Sequence, residues 1–206
     1  MKSKKWTLIL TSLTALTLMT ACGQSTTKSS TTAAADTTAI TTSAKNSQSS
    51  YFTEKDYDTS YDESTASKIE LSGSSAKVSG DGVTVSGSTV TISKAGTYVI
   101  SGQSDGVQIK VEADKSADVH LVLKGATMTN SNAAISATSA GHVYLTLAEG
   151  TTNSLSDSSS NSDEKANAAL FSKVDLTING SGTLTVDGKK SNAIKANDTL
   201  HITGGT

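Results

Sequence analysis

Residues 167–206 state one unit twice. Asn167-Ala168-Ala169-Leu170 leads to Leu176-Thr177-Ile178-Asn179-Gly180, and Asn192-Ala193-Ile194 leads to Leu200-His201-Ile202-Thr203-Gly204. Earlier copies are Val119-His120-Leu121-Val122-Leu123 before Gly125 and Val143-Tyr144-Leu145-Thr146-Leu147 before Gly150. With Tyr98, Leu121, Leu145, Leu176 and Leu200 as the first inward residue of each copy, the steps are 23, 24, 31 and 24 residues. Short alternating runs closed by glycine at such a period point to stacked strand repeats. Helical repeats need a 3.6-residue periodicity, which is absent. The expectation is an all-β chain folded as a right-handed parallel β-helix, capped at its N-terminal end and truncated at its C-terminal end. Its inward ladder would be Leu121, Leu145, Leu176 and Leu200, with Val122, Thr146, Thr177 and His201 facing outward.

Composition narrows the partners. Lys+Arg is 17 and Asp+Glu is 19, a net charge of −2, and every one of those cations is Lys. Without Arg there is no bidentate phosphate reader, so nucleic acid is not an expected partner. The single Cys excludes an internal disulfide framework.

Residues 1–21 read as an export signal: Lys2, Lys4 and Lys5, then a Thr-laced apolar run from Leu8 to Met19. The run is too short and polar for a membrane span. Met19-Thr20-Ala21-Cys22 resembles a bacterial lipoprotein signal, with Cys22 as the lipidated, palmitate-bearing residue. Diacylglycerol plus an N-acyl chain gives the two signals that stable anchoring needs. Residues 22–50 are Ser, Thr, Ala and Lys with almost no large apolar side chain, and read as a flexible tether. Residues 51–102 form a cap and first strands. There Thr53-Glu54-Lys55-Asp56 fits a capping box, and the aromatics Tyr51, Phe52, Tyr57 and Tyr61 are expected to seal the end of the stack. Residues 103–206 are the regular repeats. The one long step holds Asp157 to Lys165, an insertion that goes to a loop, often on a binding face.

Several stretches together resemble a bacterial family of carbohydrate-binding-domain-containing proteins. They are Phe52-Thr53-Glu54-Lys55-Asp56, Lys94-Ala95-Gly96-Thr97-Tyr98-Val99-Ile100, Leu147-Ala148-Glu149-Gly150-Thr151-Thr152-Asn153 and Asn167-Ala168-Ala169-Leu170-Phe171-Ser172-Lys173. The resemblance implies a surface lipoprotein on the outer face of the bacterial membrane, with a calcium-binding parallel β-helix similar to calcium-dependent pectate lyases. It also implies a polygalacturonate- or cellulose-like polysaccharide as partner. The intact protein would be a monomer.

Calcium takes about six to eight hard oxygens. Asp175 and Asp198 precede matching strands, and Asp187 and Asn192 lie in nearby turns; these four are the candidate metal ligands. The family's common Asp-Gly-Ile turn reads Asn192-Ala193-Ile194 here, which replaces a charged ligand by a neutral one. His120, His142 and His201 have no metal-ligand spacing and read as surface histidines. A lyase needs a base for the proton α to a carboxylate, and only Lys173 and Lys195 offer one. The expected function is non-catalytic binding of acidic or cellulosic glycan. A calcium-dependent polysaccharide lyase and a structural or adhesive surface protein are the alternatives.

Overall fold

The computed structural model describes residues 51–206; the export signal, Cys22 and the tether lie outside them. One short helix, α1 (Glu54–Tyr57), precedes fifteen strands among the described residues. In chain order these are β1 (Ser67–Gly73), β2 (Ser75–Ser79), β3 (Val83–Ser86), β4 (Thr89–Ile92), β5 (Gly96–Asp105), β6 (Gln108–Glu112), β7 (Asp118–Thr129) and β8 (Ile135–Ser139). They continue as β9 (His142–Leu147), β10 (Thr152–Ser156), β11 (Ala168–Ser172), β12 (Asp175–Gly180), β13 (Thr183–Asp187), β14 (Asn192–Ala196) and β15 (Leu200–Ile202).

The strands form two mixed sheets. The larger has nine strands, in the order β15-β12-β9-β7-β5-β1-β2, with β10 and β13 attached through β7; the smaller runs β14-β11-β8-β6-β4-β3. Most pairs are parallel, but β1–β2 and β3–β4 are antiparallel. This overturns the expected right-handed parallel β-helix. The chain is an all-β, sandwich-like arrangement of two mixed sheets, with no closed barrel among the described residues. Two features of the sequence produce the difference. Gly73-Ser74 and Gly87-Ser88 are two-residue loops between alternating runs, and such loops close antiparallel hairpins. In addition, β7 runs for 12 residues, pairing with β9 along its first half and with β10 along its second, so the third strand of each repeat joins the first sheet. Asn153 pins the bend in β7: its buried Oδ1 accepts from both Gly125 N and Ala126 N at 2.9 Å.

The core lies between the sheets. Tyr98, Ile100, Leu121, Leu123, Leu145 and Ile178 meet Ile92, Ile109, Val111, Ile135 and Leu170 from the opposite sheet. The expected ladder is corrected by one step. Leu121 and Leu145 share a row with Tyr98, Ile178 and Ile202, whereas Leu176 and Leu200 share the next with Val119 and Val143. Period 2 keeps all of them inward, so the slip moves residues along the core and not out of it.

Gly180 closes one of these rows beside Leu147 with φ +96°, and a Cβ there would lie 2.2 Å from Leu147 O. Both the backbone angle and the contact exclude a side chain. Gly180→Ala is expected to cost about 1–3 kcal/mol, read as a shift of the urea midpoint with unchanged slope.

The N-terminal segment does not seal the end of the stack. The hairpins β1–β2 and β3–β4 lie there instead, and residues 51–66 run as a strap across the outer face of the nine-stranded sheet. The capping box forms: Thr53 N and Oγ1 both donate to Asp56 Oδ2, at 2.7 and 2.9 Å. Tyr51 and Tyr57 are exposed, Phe52 packs against His201 of β15 at a tilt of 50°, and Tyr61 and His120 of β7 meet edge to face. The strap buries the outward residues below it. Thr146 is only 1 % exposed, although it faces away from the core.

Candidate functional site

The outer face of the six-stranded sheet carries a cleft of about 520 Å³. Its floor follows from strand alternation: Leu170 points into the core, so Phe171 points out. Register then sets Phe171 between Ser136 of β8 and Lys195 of β14. The same row continues through Lys110 of β6 to Thr91 of β4 and Thr84 of β3.

The insertion forms the wall. Residues 163–166 line the cleft, with Lys173 and Asn197 on the opposite rim. The wall is wired internally. Asp163 Oδ1 accepts from Lys165 N and Ala166 N at 3.0 Å, and Asn161 Nδ2 donates to Asp157 Oδ2 at 3.0 Å. Asp157 is fully buried, and its Oδ1 accepts from Lys189 N at 2.6 Å and from Lys190 N at 3.4 Å. The root of the insertion is thereby fastened to the turn of the next repeat. Lys195 Nζ holds the other end, donating to Lys165 O at 2.8 Å and Asn167 Oδ1 at 2.9 Å. The same ammonium sits 5.8 Å from the centroid of Phe171, within cation–π range.

Lys165, Lys173 and Lys195 face Asp163 and Glu164 here, three positive charges against two negative. Such a site offers cations for a carboxylate and acceptors for hydroxyls; Phe171 beneath them is only 4 % exposed, packed with Ala133, Ala166 and Ala168, and supports the wall. Lys173 and Lys195, singled out as candidate bases, both line this cleft; Lys195 is a strand residue and Lys173 follows β11. The insertion meets them there. Phe171 as the floor was missed; its signal was an aromatic side chain at an outward position of an alternating strand.

The four candidate metal ligands do not converge. Asp175 and Asp198 come together, each accepting from Thr199 N at 3.1 Å. Asp187 ends β13, with Lys189 Nζ 3.9 Å away, and Asn192 in β14 donates to Asn167 O at 3.2 Å. Among the described residues no group of three or more His, Cys, Asp or Glu is arranged to hold a metal ion. The histidines are not surface residues. His120 and His142 lie half-buried under the strap, where burial pushes both imidazoles below their ordinary pKa. Nearby, Tyr144 is raised to about 12 by burial first and by Asp118, Asp56 and Asp175 second.

A family model described as carbohydrate-binding domain-containing protein matches residues 86–206. The chain belongs to this family. A carbohydrate-binding domain-containing protein of Acetivibrio thermocellus is 39% identical over 119 residues, covering 55% of this chain and 42% of that protein. Among solved structures, a polysaccharide lyase-like protein from C. thermocellum, studied as a gadolinium derivative, is 36% identical with a TM-score of 0.66. That match covers 68% of this chain and 60% of the other. The chain therefore spans about half the length of the relatives it matches. The cleft residues Phe171, Lys173 and Lys195 and the insertion's anchor points lie within the matched segment.

Proposed function

We propose that the protein binds an acidic polysaccharide non-catalytically in the cleft of the six-stranded sheet. One observation carries the reading: Lys195 and Lys173 flank the outward Phe171 under a wall fixed to the fold at both ends. A uronate carboxylate meets the ammonium groups, and the sugar's hydroxyls find Ser136, Thr138 and Asn197. Membership of a carbohydrate-binding family supports the ligand class. Cellulosic glycan is the neutral alternative, for which the hydroxyl partners suffice without the lysines. Calcium would bridge uronate carboxylates to the acidic residues Asp163 and Glu164. A lipid on Cys22 would hold the domain at the outer face of the bacterial membrane.

The test is titration calorimetry of the full chain with polygalacturonate and with cello-oligosaccharides, each with calcium and with chelator. Lys173→Ala and Lys195→Ala together should weaken polygalacturonate binding about 30–150-fold, two charge-assisted contacts at roughly 1–1.5 kcal/mol each. Cello-oligosaccharide binding should change little. Equal loss for both glycans would place the effect in the fold and sink the acidic reading. A lyase reading is favoured by the likeness to a polysaccharide lyase-like protein, with Lys173 as the base. Steady release of unsaturated oligouronides, abolished by Lys173→Ala, would establish it in place of binding alone. For the anchor, Cys22→Ala should move the protein from the membrane fraction to the medium; retention on the membrane would refute it.

A further inference from the structure

We propose that the strap, residues 51–66, is an acid-released latch whose triggers are His120 and His142 beneath it. The strap is held by polar contacts more than by apolar area. Asp56 is its centre, 1 % exposed. Its Oδ1 accepts from Thr177 Oγ1 at 2.5 Å, with His201 Nδ1 3.3 Å away, and its carbonyl oxygen accepts from Thr203 Oγ1 at 2.6 Å. Asn179 Nδ2 donates to the carbonyl oxygens of both Asp56 and Asp58, at 3.2 and 3.0 Å. The rims are tied by the ion pairs Lys55–Asp118 and Glu63–Lys124. The main core lies on the other face of the sheet, so lifting the strap uncovers only the small cluster of Val99, Val122 and Ala148 against which Tyr61 and Ala66 pack.

The histidines enter through the hydroxyl protons. Thr177 has one hydroxyl proton and gives it to Asp56, so its oxygen accepts from His142 Nε2 at 2.8 Å. Thr146 gives its proton to Asn179 Oδ1 at 2.6 Å, so it accepts from His120 Nε2, also at 2.6 Å. Both imidazoles therefore carry a proton on Nε2, and each orients a residue that grips the strap. A second proton would place a charge in a half-buried site. His142 faces Asp175, Asp56, Asp118 and His201, and stacks on Tyr144 at 4.1 Å, with Lys55 over the far ring. His120 faces Asp58, Lys55 and the edge of Tyr61. For both, burial outweighs the attraction of these carboxylates.

The sign follows. With the strap lifted, both imidazoles are hydrated and titrate near the ordinary value of about 6.5. The closed state binds their second protons more weakly. Its stability is full above that value and falls as pH drops through it. Asp56 acts lower. Burial pushes its carboxyl up, but hydrogen bonds from Thr177, Thr53 and His201 prevail and hold it at about 2. Its contribution is present above the ordinary carboxylate range and is lost as pH falls toward that value. Mild acid thus works through the imidazoles while Asp56 remains ionised.

The test is hydrogen exchange of the full chain near pH 7 and near pH 5, corrected for intrinsic rates. Amides of residues 53–61 should lose about tenfold or more of their protection at the lower pH, while those of β7 and β9 keep theirs. The double variant His120→Gln/His142→Gln retains an amide N–H donor for each threonine and should stay closed at both pH values. Asp56→Asn should be open at both. A strap equally protected at both pH values overturns the proposal, and so does a double variant that opens with the native pH dependence. If the double variant is already open near pH 7, the native chain decides. Strap opening must then share its midpoint with the imidazole titration followed by NMR, and separate midpoints overturn the latch.

Discussion

Leu145→Asp is expected to remove a large part of the protein's stability. Leu145 is fully buried, in the row of Tyr98, Leu121 and Ile178 at the centre of the larger sheet. A carboxylate there loses its hydration and gains no partner, a cost of about 4–5 kcal/mol or more. Stabilities of such domains are typically about 5–15 kcal/mol, so a large part of the margin is lost. The neighbouring residue gives the sharper comparison. From alternation alone Thr146 faces water, and Thr146→Asp should cost at most roughly 0.5 kcal/mol. The structure reverses that expectation. Thr146 lies under the strap and donates its hydroxyl proton to Asn179 Oδ1. Aspartate cannot donate there and sets its charge against the same oxygen. The expected cost is about 2 kcal/mol, with loss of strap protection in hydrogen exchange. Urea denaturation followed by circular dichroism measures both changes. A Thr146→Asp protein as stable as its parent would show that the strap does not cover this face.

These two residues also mark what the sequence makes legible. Alternation assigns sides reliably: Leu121, Leu145, Leu176 and Leu200 are inward, as period 2 requires. It does not assign partners. A repeat keeps its pattern when the register slips by two residues, so Leu176 aligns with Val143 while Ile178 takes the place beside Leu145. Nor does a repeat announce where parallel pairing gives way to hairpins; the two Gly-Ser loops carried that information. The strap was hidden for a different reason. Its contacts, such as Asp56 to Thr177, join residues 121 apart in the chain, and neither periodicity nor spacing can see such a pair. The capping box, a local motif, was legible and is present. The candidate cleft divides in the same way. The insertion and the two lysines stand out from the repeat, whereas Phe171 becomes a floor only once Ser136 and Lys195 are set beside it by register.

Asp157→Ala is expected to be the most damaging single change to the cleft that leaves the sheets intact. The Asp157 side chain takes hydrogen bonds from Lys189 N, Lys190 N and Asn161 Nδ2, all at a fully buried position. Alanine strands these donors and opens a small void, at about 3 kcal/mol. The loss falls at the root of the wall. Asn161 then has no fixed partner on that side, while its Oδ1 still accepts from Asp163 N and its amide still reaches Ala166 O. Residues 157–166 should loosen as a unit, with hydrogen-exchange protection falling there and not in β8 or β11. Asp157→Asn separates charge from shape. Its amide oxygen can still receive Lys189 N, but its amide nitrogen meets Asn161 Nδ2, donor against donor. Asn161 can turn its oxygen to it only by giving up Asp163 N. About half the stability loss should therefore remain in the asparagine variant. Glycan affinity should be highest in the parent, lower in Asp157→Asn and lowest in Asp157→Ala. Unchanged affinity in a demonstrably loosened Asp157→Ala protein would mean that the wall does not contact the bound polysaccharide and that the sheet face alone holds it.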